Sequence, residues 1–124
     1  RSMSTATVPK FTVIIGSSYG AGHYAMCGRA YDPALILAWP NARYAVMGGS
    51  QAAETLLSLR LRDAERAGKK LSQAEIASLS ESIRETYQDQ TDIRYAAARG
   101  WVDAIIRPHE TRTWLAAALS VIRP

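Results

Sequence analysis

Phe11-Thr-Val-Ile-Ile-Gly-Ser-Ser-Tyr-Gly-Ala-Gly-His-Tyr-Ala-Met-Cys-Gly28 decides the reading of the fold: a β-branched apolar run enters a glycine-rich turn and leaves it as a small-residue segment suited to a helix. That arrangement makes an anion site out of main chain. Glycine and alanine let a ligand approach the backbone, and the first N–H groups of a helix have no internal partner. Chemistry at such a turn runs through amides instead of side chains.

At 124 residues, 48% of them apolar, the chain supports one modest core. It has no uninterrupted apolar run of membrane-spanning length, and residues 1–7 lack the apolar core of a signal peptide, so a soluble protein is expected. The single Cys27 excludes an internal disulfide and a Cys–Cys metal pair, which fits a reducing compartment. It reads as buried filler. The net charge of +4 is mild, and its fifteen basic residues are interleaved with acids; no nucleic-acid stripe or module is visible. No cluster of His, Cys or carboxylate has metal-ligand spacing, and no Ser/His/Asp arrangement can be argued.

Outward from the opening stretch, residues 8–15 suit a buried strand and 22–30 a helix. Asp32-Pro33 is a turn, 35–39 a second strand, Pro40-Asn41 a turn and 42–47 a third short strand. Gly48-Gly49-Ser50 opens the next helix, with Ser50 as a possible N-cap. Strand, glycine turn and helix therefore occur twice. Residues 61–68 are charged and helical, with Gly68 as a stop. Ser72-x-x-Glu75 has the form of a capping box and precedes Ile76, Leu79, Ile83 and Tyr87 on one helical face. Residues 61–90 thus form an amphipathic segment polar enough to project from a core, and their mixed charges argue against a membrane-surface role. Residues 91–99 read as a helix broken by Gly100, 102–106 as a strand, and 110–122 as a final helix whose apolar side holds Thr113, Trp114, Ala117, Leu119 and Val121. The alternation describes an α/β protein with parallel strands. It opens on a strand and closes in a helix at Arg123-Pro124, which suggests part of a domain.

Three segments carry a family resemblance: Ser18-Tyr-Gly-Ala-Gly-His-Tyr-Ala-Met-Cys-Gly-Arg-Ala-Tyr31, Trp39-Pro-Asn-Ala-Arg43 and Val46-Met-Gly-Gly-Ser-Gln-Ala-Ala53. Together they resemble the carboxyltransferase (beta) subunit of biotin-dependent acyl-CoA carboxylases, within its C-terminal domain. The wording is nearest the methylcrotonoyl-CoA branch, with propionyl-CoA carboxylases next. Residues 91–106, and 103–115 with their Pro108-x-x-Thr-Arg112 run, extend the likeness over nearly the whole chain. The resemblance implies a crotonase-like (ClpP/crotonase) spiral of strand-strand-helix units, here an incomplete domain. It implies transfer of a carboxyl group from carboxybiotin, held on a separate carrier, to an acyl-CoA. In that family the acyl-CoA site lies mainly on an N-terminal domain absent from this chain, and the biotin site on the C-terminal domain of a partner subunit. The implied partners are that missing domain, a biotin carboxylase/carrier subunit and further copies of the full subunit, with neither nucleic acid nor membrane. The implied location is cytoplasmic, or the mitochondrial matrix in a eukaryote.

The resemblance also assigns roles. Ala21 and Gly22 become backbone donors to the negative charge that develops on the biotin ureido oxygen; such a donor is typically worth about 2.7–4 kcal/mol. Tyr19, Gly20, Trp39, Pro40, Asn41, Gly48 and Gly49 become cofactor-binding residues, and no metal is implied. Each has a plainer alternative. Gly20-Ala21-Gly22 could be a tight packing turn; Trp39-Pro40-Asn41 a core aromatic before a turn; Gly48-Gly49 a helix start. Tyr19 and His23 could touch ligand or satisfy structure, and replacing His23 by alanine is expected to be mild. His109 reads as a surface residue. Rival functions are a non-catalytic assembly fragment, a biotin-dependent acyl-CoA decarboxylase using the same local parts, or another crotonase-like reaction such as enoyl-CoA hydration, against which the lack of placed acidic residues argues.

Overall fold

The computed structural model describes residues 2–69 and 71–122; Lys70, and the terminal Arg1, Arg123 and Pro124 read above, lie outside the described residues. The elements in order are α1 (Ser2–Thr5), β1 (Phe11–Ile14), β2 (Ser17–Tyr19), α2 (Gly20–Ala25), β3 (Leu35–Ala38), β4 (Arg43–Ala45), α3 (Gly49–Arg66), α4 (Gln73–Thr91), α5 (Ile93–Ala98), β5 (Ala104–Ile105) and α6 (Thr111–Val121). Two compact units result. One joins residues 1–46 to 92–124, and the other is 47–91.

In the first unit β1, β3 and β5 form a three-stranded parallel sheet in the order β1-β3-β5, while β2 and β4 pair in parallel as a second sheet. The central strand is therefore β3, whose Ile36, Leu37 and Ala38 are fully buried. The expectation for residues 8–15 needs correction. β1 is an edge strand with Ile14 as its buried residue, because a β-branched run looks alike in an edge and a centre and its neighbours alone decide which. The core gathers Ile14, Ile36, Ala38 and Ala42 with Ile93, Ala96 and Val102, so α5 packs on this sheet.

Residues 22–30 also depart from expectation. The chain makes the short strand β2 before α2, α2 begins at Gly20 and ends at Ala25, and Cys27 follows it in the left-handed region at φ 76°. Cys27 is buried, as expected, and Thr12 Oγ1 donates to its carbonyl at 2.8 Å. Gly20 stands at φ +56°, and a Cβ there would lie 2.8 Å from the Val46 carbonyl oxygen. That position accepts no side chain without moving backbone.

Asp92 ties α5 to β4. Its carboxylate accepts from the Arg94 amide as an N-cap, receives the Arg94 guanidinium on both oxygens at 2.9 Å, and lies 3.5 Å from Arg43 Nη1. On the other flank, Asp103 accepts from the Ile36 amide and from Arg29 Nη2, both at 2.7 Å, which clamps the start of β3.

The second unit is a helical hairpin. α3 runs without interruption from Gly49 to Arg66; Gly48, not Ser50, occupies its N-cap, and no side chain caps it. Gly68 ends it, as expected, at φ +70°. The capping box is made in both directions: the Ser72 amide donates to Glu75 Oε2 at 2.7 Å, and the Glu75 amide to Ser72 Oγ at 3.3 Å. Tyr87 closes the unit by donating to the Met47 carbonyl at 2.9 Å. Back in the first unit, α6 keeps its apolar side but buries none of it; Trp114 is 41% and Val121 82% exposed.

Two stability measurements follow from these contacts. Arg94, through side chain and amide, holds the Asp92 carboxyl well below the usual carboxylate range. Its contribution is thus present above about pH 4, the unfolded value, and is lost as the native carboxylate protonates at lower pH. Asp92→Ala should lower the unfolding free energy at pH 7 by about 1 kcal/mol and flatten the acid limb of a denaturation series. Gly20→Ala should cost roughly 1–2 kcal/mol from its left-handed conformation, before the Val46 collision is added; urea midpoints at pH 7 check both.

Candidate functional site

The local fold delivers α2 to the surface with its first turn uncovered. Tyr19 is the N-cap in extended conformation (φ −123°, ψ 143°), and its side chain bonds no amide. Ala21 and Gly22 occupy the second and third helical positions, where an amide has no carbonyl one turn back to receive it. Neither a hydroxyl nor an acidic side chain fills that gap within the turn. Both residues are exposed, and a Cβ built on Gly22 would meet nothing within 4 Å. The turn is therefore open on the side-chain side of Gly22. A short helix end adds partial positive charge, so an anionic oxygen suits the place.

Gly20 has a different job. Its left-handed conformation turns the chain from β2 into α2 and lets the Val46 carbonyl come close. Val46 itself is strongly exposed beside this turn. Nothing local to Val46 says that the end of β4 abuts Gly20; the pairing of Tyr19 with Ala45 does.

The expected cofactor residues are not all gathered at this turn. Trp39-Pro40-Asn41 precedes β4, while Gly20–Gly22 follows β2, and the register Ser17↔Arg43 to Tyr19↔Ala45 puts the two segments at opposite ends of the β2–β4 pair. Pro40 and Asn41 are exposed there. The half-buried Trp39 donates its Nε1–H to Thr111 Oγ1 at 3.0 Å, so its indole nitrogen is committed within the fold and its ring is what remains for a ligand. Gly48 and Gly49 belong to the second unit, as the N-cap and first residue of α3. That unit carries a groove of about 400 Å³ lined by Leu56, Arg60, Leu79, Ile83 and Tyr87 among others, with none of the expected site residues in it.

His23 is buried, and its Nδ1 lies 2.9 Å from Ser18 Oγ. The ring meets those of Tyr44 and Tyr24 edge-on, at centroid distances of 4.4 and 5.5 Å. Burial lowers its pKa below the ordinary 6.5, favouring the neutral ring. Burial also raises the Tyr44 pKa, with Tyr24 adding to the effect and Arg29 opposing it. His23→Ala, expected to be mild for activity, removes from the fold a ring enclosed on several sides and leaves a cavity and an unpaired Ser18 hydroxyl. His109 is exposed. Among the described residues, no group of three or more His, Cys, Asp or Glu side chains could hold a metal ion, and no helix is long and apolar enough to cross a membrane.

Comparison with known proteins fits this architecture. Residues 1–123 match the family model described as the carboxyl transferase domain. The chain is 49% identical over 119 residues to the biotin-dependent 3-methylcrotonyl-coenzyme A carboxylase beta1 subunit of Mycobacterium tuberculosis, which covers 96% of this chain and 22% of that protein. It is 47% identical over 117 residues to the probable mitochondrial methylcrotonoyl-CoA carboxylase beta chain of Drosophila melanogaster, covering 94% and 20%. Among solved structures, the beta subunit of geranyl-CoA carboxylase from P. aeruginosa superposes with a TM-score of 0.79 at 36% identity, covering 96% of this chain and 22% of that one. Transcarboxylase 12S, a hexamer with methylmalonyl-coenzyme A bound, superposes at 0.75 and 36% identity, covering 98% and 22%. The partial, crotonase-like α/β architecture expected from the sequence is the one shared with these carboxyltransferases. The chain spans about one fifth of the length of the relatives it matches, and it belongs to the carboxyl transferase domain family.

Proposed function

We propose that this chain forms the biotin-side part of an acyl-CoA carboxyltransferase, with Ala21 and Gly22 donating their main-chain N–H groups to an anionic oxygen of the cofactor. The observation that carries this reading is the uncapped, exposed first turn of α2, in a chain whose relatives are named as biotin-dependent carboxylases. Carboxylated biotin, when bound, supplies the carboxyl group and the oxygen on which charge grows. The chain's own contribution is to hold two donors in place beforehand, so that no dipole must reorient as that charge appears. Gly20 sets the turn. Tyr19, Gly20, Pro40, Asn41 and the ring face of Trp39 would hold the cofactor. The acceptor acyl-CoA, with its own enolate oxygen to stabilise, would sit mainly on the N-terminal carboxyltransferase domain, opposite a second pair of donors. A carrier-bearing biotin carboxylase subunit and further copies of the subunit complete the assembly. The exposed apolar side of α6 favours that assembly, since Trp114, Ala117 and Val121 recur at helical spacing on one stripe.

The isolated chain, supplying one donor pair of two, should show no acyl-CoA carboxylation with carboxylated carrier. In the complete subunit, Gly22→Pro deletes one donor and should lower kcat by about 10²–10³. Gly22→Ala keeps the N–H, places its methyl in open space, and should retain most activity. Melting and sizing establish that both variants fold and assemble. A fully active Gly22→Pro assembly would move the donor elsewhere.

A further inference from the structure

His23 follows the two proposed donors on the same six-residue helix and is that helix's buried residue. A helix this short is unstable by itself, so contacts outside it fix its direction. The imidazole makes several of them, beside the edge-on contact of Tyr24 with Tyr31 at 6.4 Å. Ser18 of β2 meets Nδ1 at 2.9 Å, Tyr44 of β4 and Tyr24 flank the ring, and Gly28 closes the remaining side. A Cβ on Gly28 would stand 2.7 Å from both Cδ2 and Nε2, so the ring packs against the glycine backbone and leaves no room for a side chain there. Nε2 is buried there without a hydrogen-bond partner.

A neutral imidazole has one N–H and one lone pair. On Nε2, the proton would be a buried donor with nothing to receive it. On Nδ1 it is donated to Ser18 Oγ, and no buried donor is left without an acceptor. We propose that His23 is a positioning residue: neutral, protonated on Nδ1 and bonded to Ser18, it fastens α2 to β2 and so sets the direction of the Ala21 and Gly22 amides. The proposal rests on the donor reading of those amides. The titratable groups around the ring are Tyr24 on its own helix and Tyr44 on β4, with the Arg29 guanidinium acting on Tyr44. None offers an imidazolium a counter-charge, and burial alone drives the pKa down.

Long-range ¹H–¹⁵N spectra of the labelled full chain at pH 7 should show His23 neutral with its hydrogen on Nδ1. A hydrogen on Nε2, or a doubly protonated ring, would overturn the proposal. In the complete carboxylase subunit, Ser18→Ala and His23→Gln should lower kcat by about tenfold or more with little change in the acyl-CoA KM, while His23→Asn, whose amide nitrogen stands near the Nδ1 position, should retain kcat within about threefold. Equal losses in the Asn and Gln variants, tracking their melting temperatures, would reduce His23 to a structural residue. Failure of the donor reading is separable: an active Gly22→Pro assembly would refute that reading and leave the tautomer measurement standing.

Discussion

The first unit depends on the parallel pairing of β1 with β3 and its continuation past the ends of both strands. The Trp39 amide donates to the Ile14 carbonyl at 2.9 Å and the Arg43 amide to Gly16 at 3.2 Å, so the ladder passes from the first sheet toward the β2–β4 pair. A parallel pair must hold this register, because a slip of one residue would turn Ile36 and Ala38 out of the core. Asp103 reinforces it by gripping the Ile36 amide from the segment entering β5. With the register set, Tyr19 falls beside Ala45, the chain reaches Val46 next to Gly20, and α2 starts where its amides are open.

That dependence explains why so little side-chain chemistry surrounds the turn. A preorganised amide keeps its direction only if its strand and helix keep theirs, so the working part of such a site is the ladder and the packing beneath it. His23, Tyr44 and Gly28 belong to that packing. Side-chain donors in their place would lose rotamer entropy on each binding event, whereas backbone donors have lost theirs on folding.

Elements with local punctuation were legible from the sequence. The Ser72/Glu75 capping box and the Gly68 and Gly100 stops appear as expected, the latter two at positive φ. Features set by distant partners were not. Ser17-Ser18-Tyr19 has no apolar alternation, and it is a strand because β4 lies beside it. Trp39 gives its indole N–H to Thr111, 72 residues away, which no local pattern announces. His23 was open between touching ligand and satisfying structure, and part of what encloses it is Tyr44, a distant partner on β4. Ala21 and Gly22 were legible as helix-opening residues because glycine-rich turns after strands have few alternatives; their role came from the resemblance.

The three glycines around α2 separate what the fold needs from what it leaves free. Gly20 is required by its left-handed conformation and by the Val46 carbonyl 2.8 Å from where a Cβ would be. Gly28 is required by the His23 ring, 2.7 Å from its own absent Cβ. Gly22 meets neither demand: it has ordinary helical conformation and empty space on its side-chain side. Within a helix, alanine there would be favoured over glycine by roughly 0.5–1 kcal/mol. The fold therefore makes no demand for a bare backbone at position 22, so a residue placed there tests the amide alone: alanine keeps the N–H and proline removes it.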